Sequence, residues 1–133
     1  MSVSLANRLA HVAKHSTLQL THYGRRSATP YEVTIWFMVE GETVYLVTAN
    51  RERQWSRNVS VRPEVQLRIG DETFTGRVDV LTETAAIDHA VDLMAAKYWY
   101  TRPYVWLARQ LGWQASSAAF RVRVDSEDST TPS

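Results

Sequence analysis

The chain has 133 residues, a formal net charge of +1 and no cysteine. This length suits one domain with one core. The lack of cysteine excludes disulfides, thiolate metal sites and cysteine nucleophiles, and the near-zero charge gives no global field that would attract nucleic acid. The first residues do not resemble a signal peptide, and no apolar run is long enough to cross a bilayer. We therefore expect a cytoplasmic protein with no membrane span.

Hydrophobic periodicity predicts a short amphipathic helix over residues 4–15, because Leu5, Leu9 and Val12 fall on one stripe. The period then changes to two, which predicts strands at 18–24, 31–40, 44–48, 64–69, 73–80 and 119–124. The same patterns predict helices at 55–61, 83–100 and 105–111, with Pro103 interrupting between the last two. We expect a single domain over residues 1–125 and a disordered polar tail over 126–133.

The order of these elements favours an α+β fold or a small barrel over a parallel doubly wound sheet. The strand at 31–40 is the strongest, and we expect both of its apolar faces to be covered. Val33, Ile35, Phe37 and Val39 form one face, and Thr34, Trp36 and Met38 form the other. The second face suits one side of a flat heteroaromatic ring, and it equally suits a dimer interface.

Several familiar kinds of site are missing from the sequence. No Gly-x-Ser-x-Gly elbow, Walker loop or Gly-x-Gly-x-x-Gly occurs. His11 and His15 have the i, i+4 spacing of metal ligands, but no third ligand accompanies them, so we predict no metal site. Three acidic residues of the predicted helix at 83–100 are expected to face solvent. These are Glu83, Asp88 and Asp92.

The loop at 50–58 holds three arginines, Arg51, Arg53 and Arg57, between a strand end and the start of a short helix. Guanidinium groups beside the free N–H groups of a helix N-terminus suit a phosphate, although arginine clusters also form plain surface ion pairs. Arg25 and Arg26 lie in a turn whose strands could frame the same groove. The aromatic run at 98–106 could wall a substrate pocket or pack the helices against the barrel.

Ordered motifs over residues 16–100 resemble the deazaflavin-dependent nitroreductase family, within the split β-barrels similar to pyridoxamine phosphate oxidase. The motifs are Gly24-Arg25-Arg26-Ser27, residues 30–37, Tyr45-Leu46-Val47, Trp55-Ser56-Arg57-Asn58, residues 62–65, Gly76-Arg77-Val78 and residues 95–98. The resemblance implies a six-stranded antiparallel split barrel with flanking helices, usually a homodimer with the cofactor near the interface. It also implies hydride transfer from 8-hydroxy-5-deazaflavin (coenzyme F420) or from FMN.

The family pattern also implies which residues meet the cofactor. They are Arg25, Arg26, Ser27, Val33, Thr34, Ile35, Trp36, Thr48, Ala49, Asn50, Arg51, Arg53, Gln54, Trp55, Arg57 and Asn58. The arginines would bind its phosphate or acidic tail, while Trp36 and Trp55 would shape the ring pocket. Tyr98, Trp99 and Tyr100 are predicted for the acceptor side. No general base is assigned, because the cofactor carries the chemistry.

The predicted function is an oxidoreductase that passes a hydride from reduced deazaflavin to a small quinone, nitroaromatic or enone-like acceptor. The short loop at 50–54 replaces the lysine- and glycine-rich loop frequent in the family, and Ala28 replaces a frequent glycine. The choice between deazaflavin and FMN therefore stays open at this point. The alternatives are an FMN reductase or oxidase of the same fold, and a non-catalytic carrier of the cofactor or of haem. A nucleic-acid binder is disfavoured because no basic stripe occurs.

Overall fold

An antiparallel sheet of seven strands organises the computed structural model, which describes residues 4–111 and 117–125. The elements in chain order are α1 (Leu5–Val12), β1 (Leu18–Tyr23), β2 (Pro30–Ile35), β3 (Met38–Glu40), β4 (Thr43–Thr48), α2 (Gln54–Val61), β5 (Glu64–Ile69), β6 (Glu72–Val80), α3 (Thr84–Lys97), a 3-10 turn (Trp99–Thr101), α4 (Arg102–Gln110) and β7 (Ala118–Val124). The strand order is β2-β1-β5-β6-β7-β4-β3. The tail predicted from Ser126 lies outside the described residues.

The strand predicted at 31–40 is divided into β2 and β3, which lie at opposite edges of the sheet. Only Trp36 and Phe37 separate them, so the chain brings the two edges within a few residues of each other. The sheet must therefore curl, which gives the split barrel. The predicted α+β split-barrel fold is confirmed, and the division of this strand explains why it has seven strands where six were expected.

The interior of the curled sheet holds the main core. Alternate residues of the strands point inward, as the period of two predicted, and β5 shows this most regularly with Val65, Leu67 and Ile69 buried. Helix α1 adds its predicted stripe of Leu5, Leu9 and Val12 to this core. Helix α2 adds Trp55 and Val59. Burial of these apolar side chains is the main source of stability.

A second, smaller core lies between α3 and the outer face of the sheet. It contains Met38, Tyr45, Leu81, Ala90 and Tyr98. Because α3 packs on β3, β4 and β7, it covers the outer face of β3 but not that of β2. The expectation that both faces of 31–40 are covered is therefore right for β3 and wrong for β2 within one chain, where Thr34 is exposed.

The helices after β6 differ in their bounds from those predicted. Helix α3 ends at Lys97, because Tyr98 has φ −107° and ψ 59° and leaves the helical region. Helix α4 begins at Arg102, so Pro103 lies in its first turn, where a missing N–H costs nothing. Among the residues that the structure describes, no helix is long and apolar enough to cross a membrane.

Candidate functional site

The break between β2 and β3 is bridged by the end of α3. The backbone N–H of Phe37 donates to the Tyr98 hydroxyl (3.1 Å), and Lys97 Nζ donates to the Phe37 carbonyl (2.8 Å). The Tyr98 hydroxyl in turn lies 2.7 Å from the carbonyl oxygen of Ser16, to which it donates. These bonds satisfy backbone groups that have no partner in the sheet, where an unpaired buried group would be costly.

Burial changes the titration of both bridging residues. Desolvation raises the pKa of Tyr98, with a smaller opposing effect from its bond to Phe37, and it lowers the pKa of Lys97 to about 8. The Tyr98 ring stacks on Trp36 with 4.2 Å between ring centroids and 10° between planes. The bridge therefore holds Trp36 in a defined orientation beside the sheet edge.

An apolar pocket of about 200 Å³ lies beside Trp36. Its lining residues are Trp36, Val47, Ala49, Met94, Thr101, Tyr104, Val105 and Ala108. None of them carries a charge, and the Thr101 hydroxyl donates to the Tyr98 carbonyl (2.6 Å). We call this cavity the apolar pocket. Its chemistry suits a small, flat, uncharged molecule.

A larger cleft of about 710 Å³ lies between α2, α3 and the start of β7. It falls within the range of roughly 300–1,000 Å³ that is usual for small-molecule sites. Three arginines predicted to meet the cofactor, Arg25, Arg51 and Arg57, line this arginine cleft. The other lining residues are Glu52, Ser56, Ser60, Val61, Val80, Leu81, Thr82, Thr84, Ile87, Asp88, Ser117, Ala118, Ala119 and Phe120.

Hydrogen bonds orient two of these arginines. Arg51 Nη2 donates to the Ser117 carbonyl (2.8 Å), and Arg25 Nη1 donates to Asn58 Oδ1 (2.7 Å). Arg57 Nε lies 4.0 Å from Glu52 Oε1, but both side chains are exposed, so this pair is weak. The first turn of α2 has no acidic residue, and its positive dipole end adds to the positive potential.

The arginine cleft also holds residues that the sequence did not indicate. Asp88, predicted to face solvent, is half-buried and lines the cleft with Thr84 and Ile87. Their i, i+3, i+4 spacing marks one side of α3, but that signal alone could not separate a cleft wall from a solvated face. Ser56 and Ser60, four residues apart on α2, line the cleft beside Arg57.

The two cavities are neighbours across the pairing of β4 with β7. Val47 of the apolar pocket pairs with Ala119 of the arginine cleft. Ala49 of the pocket is followed two residues later by Arg51 of the cleft. Two ligands in these cavities would therefore lie on adjacent strands.

Most other residues predicted to meet the cofactor lie outside both cavities. Val33 and Ile35 pack against the main core, and Trp55 is buried there against Phe120. Thr48 bonds to the backbone of Asn50, and the Asn50 side chain accepts from the N–H of Glu52. The remaining residues of this group are Arg26, Ser27, Thr34, Arg53 and Gln54, which are exposed, and Asn58, which is buried.

The turn that carries Arg25 contains one difference from the family pattern, the alanine at position 28. Ala28 has a φ of 58°, a conformation that glycine adopts without steric cost. The Ser27 hydroxyl accepts from the N–H of Thr29, and the N–H of Gly24 donates to the Thr29 carbonyl. The turn keeps this shape even though alanine replaces the frequent glycine.

The three aromatic residues predicted for the acceptor side have different surroundings. Tyr98 is only 3% exposed, and its hydroxyl is bound to backbone groups. Trp99 and Tyr100 are exposed, and Tyr100 meets Trp36 edge-on with 6.3 Å between centroids. Tyr98 thus supports the Trp36 wall of the apolar pocket from inside the fold.

The residues of the arginine cleft fit coenzyme F420, which has a flat ring system, a phosphate and an acidic tail. Guanidinium groups bind phosphate and carboxylate in bidentate fashion. The apolar wall formed by Leu81, Ile87 and Phe120 suits the ring system. Glu52 and Asp88 disfavour an acidic tail where they stand, so the anionic groups belong beside the arginines.

The sequence matches the model of a known protein family. The model of the F420H(2)-dependent quinone reductase family matches residues 4–110. No curated protein matches the sequence significantly.

Solved structures share the fold at low sequence identity. The conserved hypothetical protein Rv2991 from Mycobacterium tuberculosis is 18% identical with a TM-score of 0.72, over 93% of this chain and 82% of that one. An F420-H2 dependent reductase, FDR-A, is 19% identical with a TM-score of 0.61, over 80% and 93%. The haem storage protein HutZ from Vibrio cholerae is 16% identical with a TM-score of 0.64, over 92% of each chain.

Proposed function

Because this chain belongs to the F420H(2)-dependent quinone reductase family, and is therefore an oxidoreductase that uses coenzyme F420, we propose that it reduces a small, flat, uncharged quinone. Nitroaromatic and enone compounds of the same shape are further acceptors under this proposal. The observation that carries the proposal is the juxtaposition of the two cavities across the β4–β7 pair, one lined with arginines and the other apolar.

In this proposal the arginine cleft holds the cofactor. Arg25, Arg51 and Arg57 bind its phosphate and acidic tail through charge-assisted hydrogen bonds. Reduced coenzyme F420, when bound, would supply a hydride and a proton, so that the quinone becomes a hydroquinone and the cofactor is oxidised. The protein's contribution is binding, orientation and exclusion of water.

The apolar pocket supplies the acceptor site. Trp36, held by Tyr98, offers a flat face, and none of the lining residues carries a charge that would favour an ionised acceptor. A volume of about 200 Å³ admits one or two fused rings rather than a bulky substrate. These features favour quinones over larger or anionic acceptors.

We also propose that the protein acts as a homodimer. Thr34 on edge strand β2 is exposed, as is Trp36 just after it, and α4 exposes Trp106 and Leu107. Large exposed apolar residues are frequent at contacts between subunits. A second subunit would cover the face of β2 that α3 leaves open, near the apolar pocket.

The test is a fluorescence titration of the purified protein with coenzyme F420 and, separately, with FMN. We expect coenzyme F420 to bind far more tightly than FMN. Arg57→Ala should weaken its binding by about 10- to 100-fold, because a hydrogen bond to a charged group contributes about 1.5–3 kcal/mol. An Arg53→Ala variant tests the prediction from the sequence that this exposed residue also binds the cofactor.

The matched control is Arg68→Ala, which removes an arginine of β5 that lines neither cavity. Its affinity should stay within about twofold of the unmodified protein. Equal losses of affinity in Arg57→Ala and Arg68→Ala would show that the change in net charge alone causes the effect. Tight binding of FMN without coenzyme F420 would overturn the proposed cofactor site.

A further inference from the structure

A buried polar pair lies directly behind Arg25. His22 on β1 is 3% exposed and Asn58 on α2 is 2% exposed, and Asn58 Nδ2 lies 3.0 Å from His22 Nδ1. The sequence showed no reason to connect them, since 36 positions separate them. Buried polar groups of this kind are almost always bonded, and Nδ1 of His22 has Asn58 as its partner.

The bond from Arg25 decides how this pair is oriented. Because Arg25 Nη1 donates to Asn58 Oδ1, the amide oxygen faces the guanidinium and the amide NH₂ faces the histidine. His22 Nδ1 must then accept, so the ring is neutral with its proton on Nε2. Burial, which lowers the pKa of His22, favours the same neutral form. The chain of bonds thus has one direction from Arg25 through Asn58 to His22.

This chain of bonds restricts an arginine that lines the arginine cleft. An arginine side chain has considerable rotamer freedom, and restricting it on binding lowers affinity. The bond to Asn58 uses one of the five N–H donors of the guanidinium and holds the group at the cleft wall before any ligand arrives. His22 keeps Asn58 from rotating its amide, and the ring of Tyr31 stacks on His22 at 5.8 Å.

We propose that His22 and Asn58 are positioning residues that hold the Arg25 guanidinium ready for the anionic part of coenzyme F420. The inference rests on the proposed function, because it needs the cofactor to bind in the arginine cleft. Neither residue touches the cofactor in this proposal. Asn58, which the family pattern assigns to the cofactor, acts through Arg25 instead.

The test is a double-mutant cycle on the affinity for coenzyme F420, with Arg25→Ala, His22→Leu and the double variant. Arg25→Ala should weaken binding by about 10- to 100-fold and His22→Leu by about three- to tenfold. If His22 acts through Arg25, the double variant binds within about twofold of Arg25→Ala alone. His22→Asn should restore most of the affinity, because its side-chain oxygen can take the place of Nδ1 as acceptor.

A second measurement does not depend on any variant folding. Nitrogen NMR of the ring of His22, one of four histidines, should show a neutral ring with the proton on Nε2 at neutral pH. A proton on Nδ1, or a charged ring, would overturn the inference.

The outcomes separate the two proposals. Tight binding of coenzyme F420 with additive losses in the double variant would overturn the positioning role and leave the proposed function intact. Affinity that stays at the level of His22→Leu in a folded His22→Asn protein would do the same. Failure of the unmodified protein to bind coenzyme F420 would overturn both proposals.

Discussion

Lys97 combines a charged head with surroundings that disfavour charge. Its Nζ donates to the Phe37 carbonyl and lies 3.5 Å from the centroid of the Phe37 ring, while burial lowers its pKa to about 8. The bond and the ring stabilise the cation, but the lowered pKa shows that desolvation is the larger effect. Lys97 is therefore partly deprotonated under mildly alkaline conditions.

This titration predicts a rise in stability with pH. The pKa of Lys97 is about 8 in the folded protein and ordinarily 10.5, so the unfolded chain binds more protons between these values. Stability should therefore rise from pH 8 upward. The window ends near pH 10, because the raised pKa of Tyr98 makes that group lower the stability above its ordinary value of 10.0.

Urea denaturation midpoints across pH 8–10 measure the effect in the unmodified protein and in Lys97→Met. The chain has only two lysines, so Lys14→Met, at an exposed position, is the matched control. The slope should vanish in Lys97→Met and persist in Lys14→Met. The same slope in all three proteins would contradict the role given to Lys97.

At the level of elements, the end of α3 determines how the break between β2 and β3 is held. Tyr98 joins α3 to Phe37 and to Ser16, which precedes β1. A single hydroxyl thus connects three segments that are distant in sequence. Its partners are backbone groups, so another side chain could replace Tyr98 only if its polar group stood at the same position.

Tyr98→Phe should lower the free energy of unfolding by about 1–3 kcal/mol, because it removes the acceptor of the buried Phe37 N–H while keeping the stacked ring. Tyr100→Phe is the control, since Tyr100 is exposed and should change stability by less than about 0.5 kcal/mol. Equilibrium denaturation in urea measures both. Equal stabilities of the two variants would show that water replaces the lost hydroxyl.

Helix α4 provides the element-level test of the acceptor pocket. Ala108→Trp should fill the pocket and lower kcat/KM for a quinone by about tenfold or more. The affinity for coenzyme F420 should stay within about twofold, because Ala108 does not line the arginine cleft. Gln110→Trp, at an exposed position of the same helix, is the control. An unchanged kcat/KM in Ala108→Trp would show that the acceptor binds at another surface.

At the scale of the whole molecule, the exposed apolar residues of α4 bear on whether two copies of the chain associate. Trp106 is 64% exposed and Leu107 is 51% exposed, both on α4. Single exposed apolar residues are common, whereas contiguous exposed apolar surface is characteristic of interaction sites. Strand β2 also lies at an edge of the sheet, so among the described residues its outer side pairs with no other strand.

Sedimentation velocity at micromolar concentration should show a dimer for the unmodified protein and a monomer for Trp106→Glu, because a buried unpaired carboxylate opposes association. Thr73→Glu adds the same charge at an exposed position of β6 and should remain a dimer. A monomeric unmodified protein would contradict the proposed homodimer.

The sequence by itself determined the elements whose signals are local. The stripe of Leu5, Leu9 and Val12 and the alternation in β5 depend only on residues a few positions apart, and both occur as predicted. The ordered motifs also indicated the split-barrel fold and a deazaflavin or FMN cofactor, and the family match decides for coenzyme F420. Short-range periodicity could not show that the strand at 31–40 divides, since its apolar pattern continues through Trp36 and Phe37.

Only the tertiary structure decided which predicted residues meet. Arg57 lines the cleft while Arg53 lies at the N-cap of α2, and no property of the loop sequence separates them. Asn58 meets His22 and Arg25 because α2 packs across β1, a contact between segments more than 30 residues apart. Local propensity sets each element, but the bonding partners of a buried polar side chain depend on how distant elements pack.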